Sequence, residues 1–311
     1  MPLVKTDIPQ LLLPSIKATF FEEYDKLTSQ WQKVATEVPS TSDSETYAWL
    51  GAVPSVREFI DERQIKAMSQ YTYSIKNKTW ESTLGVERAA IEDDKWGQIK
   101  IRIQGLARAC VKHQESLVFG MFLNGFTTTC YSGDYFFADT HTDASPTSAG
   151  DNKNTAALTA LNLQAAITQM RKFTNDVGDP LDVVPDTLIV PPDLEWTARE
   201  ILNSAYNADA TSAHQYSQFA SNQLQGALDL IVSPYVMDTA GAPASANSNW
   251  YLACTKGPVK PIILQNRMGI EFTALEATSE NGFMRDMYAY GIRARYNVGF
   301  GPWQMAVGSI Q

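Results

Sequence analysis

Apolar positions along the chain fall into helical rhythms near the N-terminus and extended runs toward the C-terminus. Over residues 15–34, Ile16, Phe20, Tyr24, Leu27, Trp31 and Val34 recur at intervals of 4, 4, 3, 4 and 3. That spacing lays them along one face of an amphipathic helix. Ser15 can cap its start, and Pro39 lies beyond its end. Such a stripe either packs on the chain's own core or serves as an arm against a neighbouring subunit. Residues 50–87 read as two extended segments, one roughly from Val56 to Met68 and one carrying Tyr71, Tyr73, Ile75, Trp80, Leu84 and Val86. A two-stranded ribbon is poorly stable alone, so it needs a surface to lie on.

The longest helical pattern covers residues 92–124. Glu92, Asp93 and Asp94 suit the positive end of a helix dipole, and Ile99, Ile103, Leu106, Cys110, Leu117 and Met121 follow a three-to-four-residue rhythm. The rhythm breaks at His113 and Gln114, and Asn124-Gly125 offers a stop. At 1.5 Å per residue such a helix is ~50 Å long, a spine rather than a core helix. A further helix is predicted over about 156–174, ended by Gly178-Asp179-Pro180. A strand Thr187-Leu188-Ile189-Val190 is closed by Pro191-Pro192, and Asp193 is placed to cap a helix reaching about Tyr206. Strands are expected at 228–237, 250–255, 259–265, 268–275, 283–298 and 303–310, with a turn at Asn281-Gly282. The small-residue segments 142–154 and 238–249 read as loops. The element order is α+β in character, not a regular βαβ alternation.

The 311 residues are 44% hydrophobic and 19% charged, an ordinary folding composition. A net charge of −9 disfavours a dedicated nucleic-acid binder and docking on anionic lipid. No run approaches the ~20 apolar residues that span a bilayer. Leu11-Leu12-Leu13 between Pro9 and Pro14 is too short for a signal-peptide core. Cys110, Cys130 and Cys254 are odd in number and widely spaced, so neither a disulfide framework nor a paired metal motif is expected. A reducing cytoplasm suits synthesis of such a chain.

Asp139-Thr140-His141-Thr142-Asp143 puts three potential metal ligands on one side of an extended segment. The motif is short and no other ligand-rich stretch lies near it, so a polar loop held by local side-chain bonds explains it better. Glu92-Asp93-Asp94 is explained by helix polarity alone. No phosphate-binding, dinucleotide-binding or nucleophile-elbow motif occurs. No catalytic, metal or cofactor residue is assigned, and the chain is not expected to be an enzyme.

Three stretches carry a family resemblance: Tyr73 to Arg88 (YSIKNKTWESTLGVER) running on to Ile91-Glu92-Asp93-Asp94, Leu188 to Leu202 (LIVPPDLEWTAREIL), and Arg293 to Gln304 (RARYNVGFGPWQ). With Trp49-Leu50-Gly51 and Phe136-Phe137, they resemble the Mu-like phage major head subunits, in order, from about residue 16 to the end. That family is similar in fold to the Hong Kong 97-type capsid proteins. The resemblance implies an N-terminal arm (1–50), an extended loop or E-loop with its return strand (51–87), a P-domain (88–180) with a spine helix at 92–124, an A-domain (181–270) around a local symmetry axis, and return strands to the P-domain (271–311).

The implied function is that of a major capsid protein, assembling through hexamers and pentamers into the icosahedral shell around the phage genome. Implied partners are copies of itself, a scaffold or protease during assembly, a portal at one vertex, a decoration protein, and packaged double-stranded DNA held without sequence specificity. The chain would be made in the host cytoplasm and reside in the virion. Extended arms add buried apolar area outside the compact body, at ~25 cal/mol per Å². The residues expected at assembly contacts are Ile16, Phe20, Leu27 and Trp31 in the arm and Phe59, Ile65, Tyr73 and Trp80 in the ribbon. The alternatives are an encapsulin-like compartment, a tail tube, or a metal-dependent hydrolase using Asp139, His141 and Asp143.

Overall fold

A computed structural model of the chain describes residues 8–47, 73–87, 89–90, 96–141, 150–174, 178–206, 221–237, 248–275 and 287–310. In chain order these form α1 (Ile8–Lys26), the single turn α2 (Trp31–Val34), β1 (Ala35–Pro39), β2 (Ser44–Thr46), β3 (Ser74–Lys76), β4 (Lys78–Glu87), α3 (Trp96–Asn124), β5 (Lys153–Asn154) and α4 (Ala160–Arg171). They continue as β6 (Thr187–Val190), α5 (Glu195–Asn203), β7 (Asp229–Val232), β8 (Trp250–Ala253), β9 (Ile262–Leu275), β10 (Met287–Phe300) and β11 (Ala306–Ser309).

Among the described residues two larger sheets, beside the small β2-β3 pair, organise the fold. One is four-stranded, in the order β1-β9-β10-β4, and the other five-stranded, in the order β5-β11-β8-β6-β7. The 14-residue strands β9 and β10 pair antiparallel and share an irregular register around Arg293 to Tyr296. From Asn266 onward, half-buried or buried positions of β9 alternate with exposed ones, as in an antiparallel sheet with one solvated face. In the second sheet, β6, β8 and β11 are buried at every position. That accounts for unbroken apolar runs such as Leu188-Ile189-Val190 and Trp250-Tyr251-Leu252.

The apolar side chains separate into two cores, and α3 runs through both. Ile99, Ile103, Leu106, Ala107 and Cys110 join Ile16 and Phe20 of α1 and Val86, Phe272, Tyr288 and Tyr290 of the first sheet. Val118, Phe119 and Phe122 belong to the larger core around the second sheet. The break in rhythm at His113 and Gln114 falls between them. A 29-residue helix is ~43 Å long, enough to bridge two such centres.

Several boundaries differ from the sequence reading. Helix α1 starts earlier than predicted and runs through Pro14, so Ser15 lies inside it and not at its cap. The helix stops at Lys26, and Trp31 and Val34 turn into a different core from Ile16 and Phe20. The strands expected at 259–265 and 268–275 are one strand: β9 carries the extra residues where its register against β10 shifts, and the pairing resumes on both sides. Asp193 sits within a 3₁₀ turn (Pro192–Leu194) instead of capping α5. The strand expected at 228–237 ends at Val232. Pro234 has no N–H to continue the ladder and opens a turn whose Tyr235 N–H is accepted by Ser233 Oγ. The two C-terminal strands part company: β10 stays in the first sheet, while β11 crosses to pair with β8. The segment from Val56 to Met68 and the Asn281-Gly282 turn lie outside the described residues.

Candidate assembly interface

Of the residues expected at contacts between subunits, three are enclosed by the chain itself. Phe20 is fully buried, with its ring 5.3 Å from that of Phe272. Ile16 lies beside it in the same core. Glu23 on α1 accepts hydrogen bonds from Arg108 on α3, with the shorter contact at 2.8 Å, which ties the helices side by side. Trp31 is buried in the larger core. Ile16, Phe20 and Trp31, expected at contacts between subunits, are buried within the single chain. The stripe breaks at Lys26, and each half finds an apolar surface within the subunit. Leu27, on the connection after α1, keeps partial exposure. Phe59 and Ile65 lie outside the described residues.

Tyr73 and Trp80 lock the ribbon to the long strands. The hydroxyl of Tyr73 accepts the Phe300 N–H at 3.0 Å, and burial pushes its pKa up. The indole N–H of Trp80 donates to the Tyr296 carbonyl at 2.9 Å. Its ring stands edge-on to His113 at 4.3 Å. His113 Nδ1 meets the Tyr296 hydroxyl at 2.8 Å, and burial lowers the imidazole's pKa. Together with Cys110 and Ile292 these groups border a recess of about 230 Å³ between α3 and the sheet. Burial also raises the Cys110 thiol to about 11, which keeps it protonated and unreactive. Both Tyr73 and Trp80 retain partial exposure.

The ligand-like motif has a structural task. His141 is buried, and its ring stacks on Trp303 at 4.0 Å and 5°. Its Nε2 faces Asn152 Oδ1 at 3.0 Å, and Nδ1 faces Ser132 Oγ at 3.2 Å. The Asn152 amide is directed at backbone carbonyls, so Nε2 carries the proton and Nδ1 accepts from Ser132. Both ring nitrogens are therefore engaged. Asp139 pairs with Lys153 at 3.1 Å, and Asp143 lies outside the described residues. Among the described residues no group of three His, Cys, Asp or Glu side chains is placed to share a metal ion. None of their helices is long and apolar enough to cross a membrane.

The surface carries apolar side chains that the sequence reading passed over. Trp196 on α5 is 77% exposed, and Ile101 on α3 and Leu161 on α4 are also largely exposed. A helical wheel would have separated Trp196 from the buried face of Ala198, Ile201 and Leu202. It went unremarked because a tryptophan in an apolar pattern reads as core.

Comparison with known proteins places this architecture. A family model described as Mu-like prophage major head subunit gpT matches residues 10–156, 151–236 and 238–311. The chain is 29% identical to the Mu-like prophage FluMu major head subunit of Haemophilus influenzae, over 98% of this chain and 74% of that protein. It is 26% identical to the major capsid protein of Escherichia phage Mu, over 72% of this chain and 97% of that one. Among solved structures it is similar to a subunit of the procapsid of bacteriophage JBD30, with TM-score 0.55 and 29% identity, covering 97% of this chain and 75% of that one.

Proposed function

The chain belongs to the Mu-like prophage major head subunit gpT family, and from that membership we propose how it builds a phage head. It is a structural protein of the virion with the Hong Kong 97-type capsid fold, a major capsid protein whose copies assemble into the icosahedral shell. The observation that carries the reading is the family match, which runs in chain order from residue 10 to residue 311.

In the proposed assembly the subunit forms hexamers and pentamers around double-stranded DNA, held without sequence-specific contacts. A net charge of −9 suits a lining that must not adsorb the packaged genome. A scaffold or protease would act during assembly, a portal would occupy one vertex, and a decoration protein could bind outside. Synthesis would take place in the host cytoplasm. Residues 1–50 would serve as the arm, 51–87 as the extended loop, 88–180 with 271–311 as the P-domain, and 181–270 as the A-domain. The passage of α3 through both cores supports its role as the spine: force applied to either sheet is transmitted along one element. Leu27, Tyr73 and Trp80 are the described contact residues we retain, since each keeps surface for a neighbour. Phe59 and Ile65 remain expected contacts of the extended loop.

Negative-stain microscopy of particles assembled from the full-length chain tests the reading. Closed icosahedral shells are expected. Tubes would point to a tail protein, and shells filled with a cargo protein to an encapsulin-like compartment. Trp80→Ala is expected to lower the melting temperature of shells more than that of the unassembled subunit. Equal losses would assign Trp80 to the core alone.

A further inference from the structure

We propose that the recess between α3 and the first sheet is a binding site for a small, neutral aromatic molecule that carries a hydrogen-bond acceptor, with His113 as the group that recognises the acceptor. The inference goes beyond the shell reading above and does not rest on it.

The recess follows from the residues of its walls. Ile292, Ala294 and Tyr296 share one face of β10, and Trp80 and Ser82 of β4 pair with Ala294 and Ile292. Ala109, Cys110 and His113 of α3 border the same space. Ser82, Ala109 and Ala294 are too short to fill what their larger neighbours hold apart, and about 230 Å³ is left. An apolar cavity of ~150 Å³ accepts benzene, so this space suits a two-ring molecule. Cys110, Ala294 and Tyr296 are buried, Trp80 and His113 are half-buried, and Glu81 and Ala109 are exposed, so the recess opens to solvent.

The chemistry of the walls selects the occupant. Trp80, Ile270 and Ile292 are apolar, and the indole offers an aromatic surface. The Glu81 carboxylate at the rim disfavours an anion. The Trp80 N–H and the Cys110 thiol are already committed, to the carbonyls of Tyr296 at 2.9 Å and Leu106 at 3.2 Å. His113 keeps a donor in reserve. Its Nδ1 lies 2.8 Å from the Tyr296 hydroxyl, and that phenol has no other hydrogen-bond partner among the described residues. The buried phenol therefore donates to Nδ1, and the ring proton sits on Nε2. Nε2–H has no partner among the described residues. Burial lowers the imidazole's pKa, so the ring meets a ligand in its neutral form. An apolar recess with a spare N–H donor fits a flat molecule with an acceptor. A bound molecule would touch both β4 and α3, at the point along the helix where one core gives way to the other.

Equilibrium dialysis of the full-length chain, unassembled and as shells, against quinoline and naphthalene tests the site. The wild-type chain should bind a single equivalent of quinoline with a dissociation constant on the order of 0.1–1 mM. H113F should weaken quinoline about tenfold, the loss of a hydrogen bond, and leave naphthalene, which has no acceptor, within about threefold. A109F, at an exposed helical position on the rim, should abolish uptake of both while melting like the wild type. No uptake by the wild-type chain, an equal effect of H113F on the two ligands, or quinoline binding that survives A109F would each overturn the proposal. Uptake by the unassembled chain but not by shells would overturn it in favour of a side chain from a neighbouring copy. If H113F does not fold, the ring nitrogen resonances of the wild-type chain labelled at histidine decide. Quinoline should move those of a single histidine, and A109F should remove the effect. Unmoved histidine resonances would overturn the proposal.

Discussion

Asn152 offers the sharpest measure of what joins β11 and the turn before it to the rest of the chain. It is fully buried. Its amide donates to the carbonyls of Phe136 at 2.8 Å, Ala306 at 3.1 Å and Trp303 at 3.3 Å. Its carbonyl oxygen accepts the Ala138 N–H at 3.0 Å and the His141 Nε2–H at 3.0 Å. Asn152→Leu keeps the branched skeleton of four side-chain heavy atoms and removes all five bonds. At 0.5–1.5 kcal/mol net for each, with part of the loss recovered by relaxation and entering water, the cost is about 3–5 kcal/mol. In a chain of this size 1 kcal/mol moves the melting temperature by about 2–4 °C, so the unassembled subunit should melt roughly 6–20 °C lower. Calorimetry of Asn152→Leu beside Ser132→Ala is the assay. Ser132→Ala removes the partner of His141 Nδ1 along with longer contacts to the Cys130 thiol and the Asp134 N–H, and should cost about 1 kcal/mol. An Asn152→Leu loss no larger than the Ser132→Ala loss would refute the reasoning, because Asn152 would then be a spectator of the seam.

Other outcomes follow from single features. Phe20→Ala empties a fully buried site and should cost about 3–5 kcal/mol, with hydrogen exchange rising in α1 and the first half of α3 while β6 and β8 stay protected. Exchange rising equally in both cores would contradict their separation. Gly105 and Gly120 lie within α3, and an added Cβ would meet nothing within 4 Å at either. Gly105→Ala and Gly120→Ala should therefore each stabilise the unassembled chain by up to about 1 kcal/mol, read as a higher melting temperature. The Glu45 carboxylate is lowered to about 2 because it accepts the N–H groups of Thr41 and Ser42 and the Ser40 hydroxyl. A carboxylate held below its unfolded value of about 4.3 adds stability that is complete above that value and lost as the pH falls toward 2. Glu45→Gln should accordingly flatten the pH dependence of stability between about pH 4.5 and 2. An unchanged acid limb would remove the loop from that role.

Much of the architecture is written in spacing. Ile99, Ile103, Leu106 and Cys110 mark one stripe of α3, and the interruption at His113 marks the place where one core gives way to the other. The run Thr187-Leu188-Ile189-Val190 before Pro191-Pro192 reads as a strand, and β6 is that strand, buried at every position. Periodicity is less informative about partners. The stripe of Ile16, Phe20, Tyr24, Leu27 and Trp31 has the same appearance whether it covers the chain's own body or a neighbour's. The lone histidine of the Asp139-to-Asp143 motif has the same letters whether it binds a metal or, as here, stacks on Trp303 more than 150 residues away.

The sequence by itself determined the class of element at most positions, the long helix α3, and the family, because these depend on local periodicity and on residue order. Tertiary structure decided which apolar face meets which. It folded α1 onto α3, sent β11 to β8 instead of to β10, and left Trp196 facing water. Burial is a property of surfaces brought together from distant parts of the chain, and a one-dimensional pattern records how greasy a face is but not what lies against it.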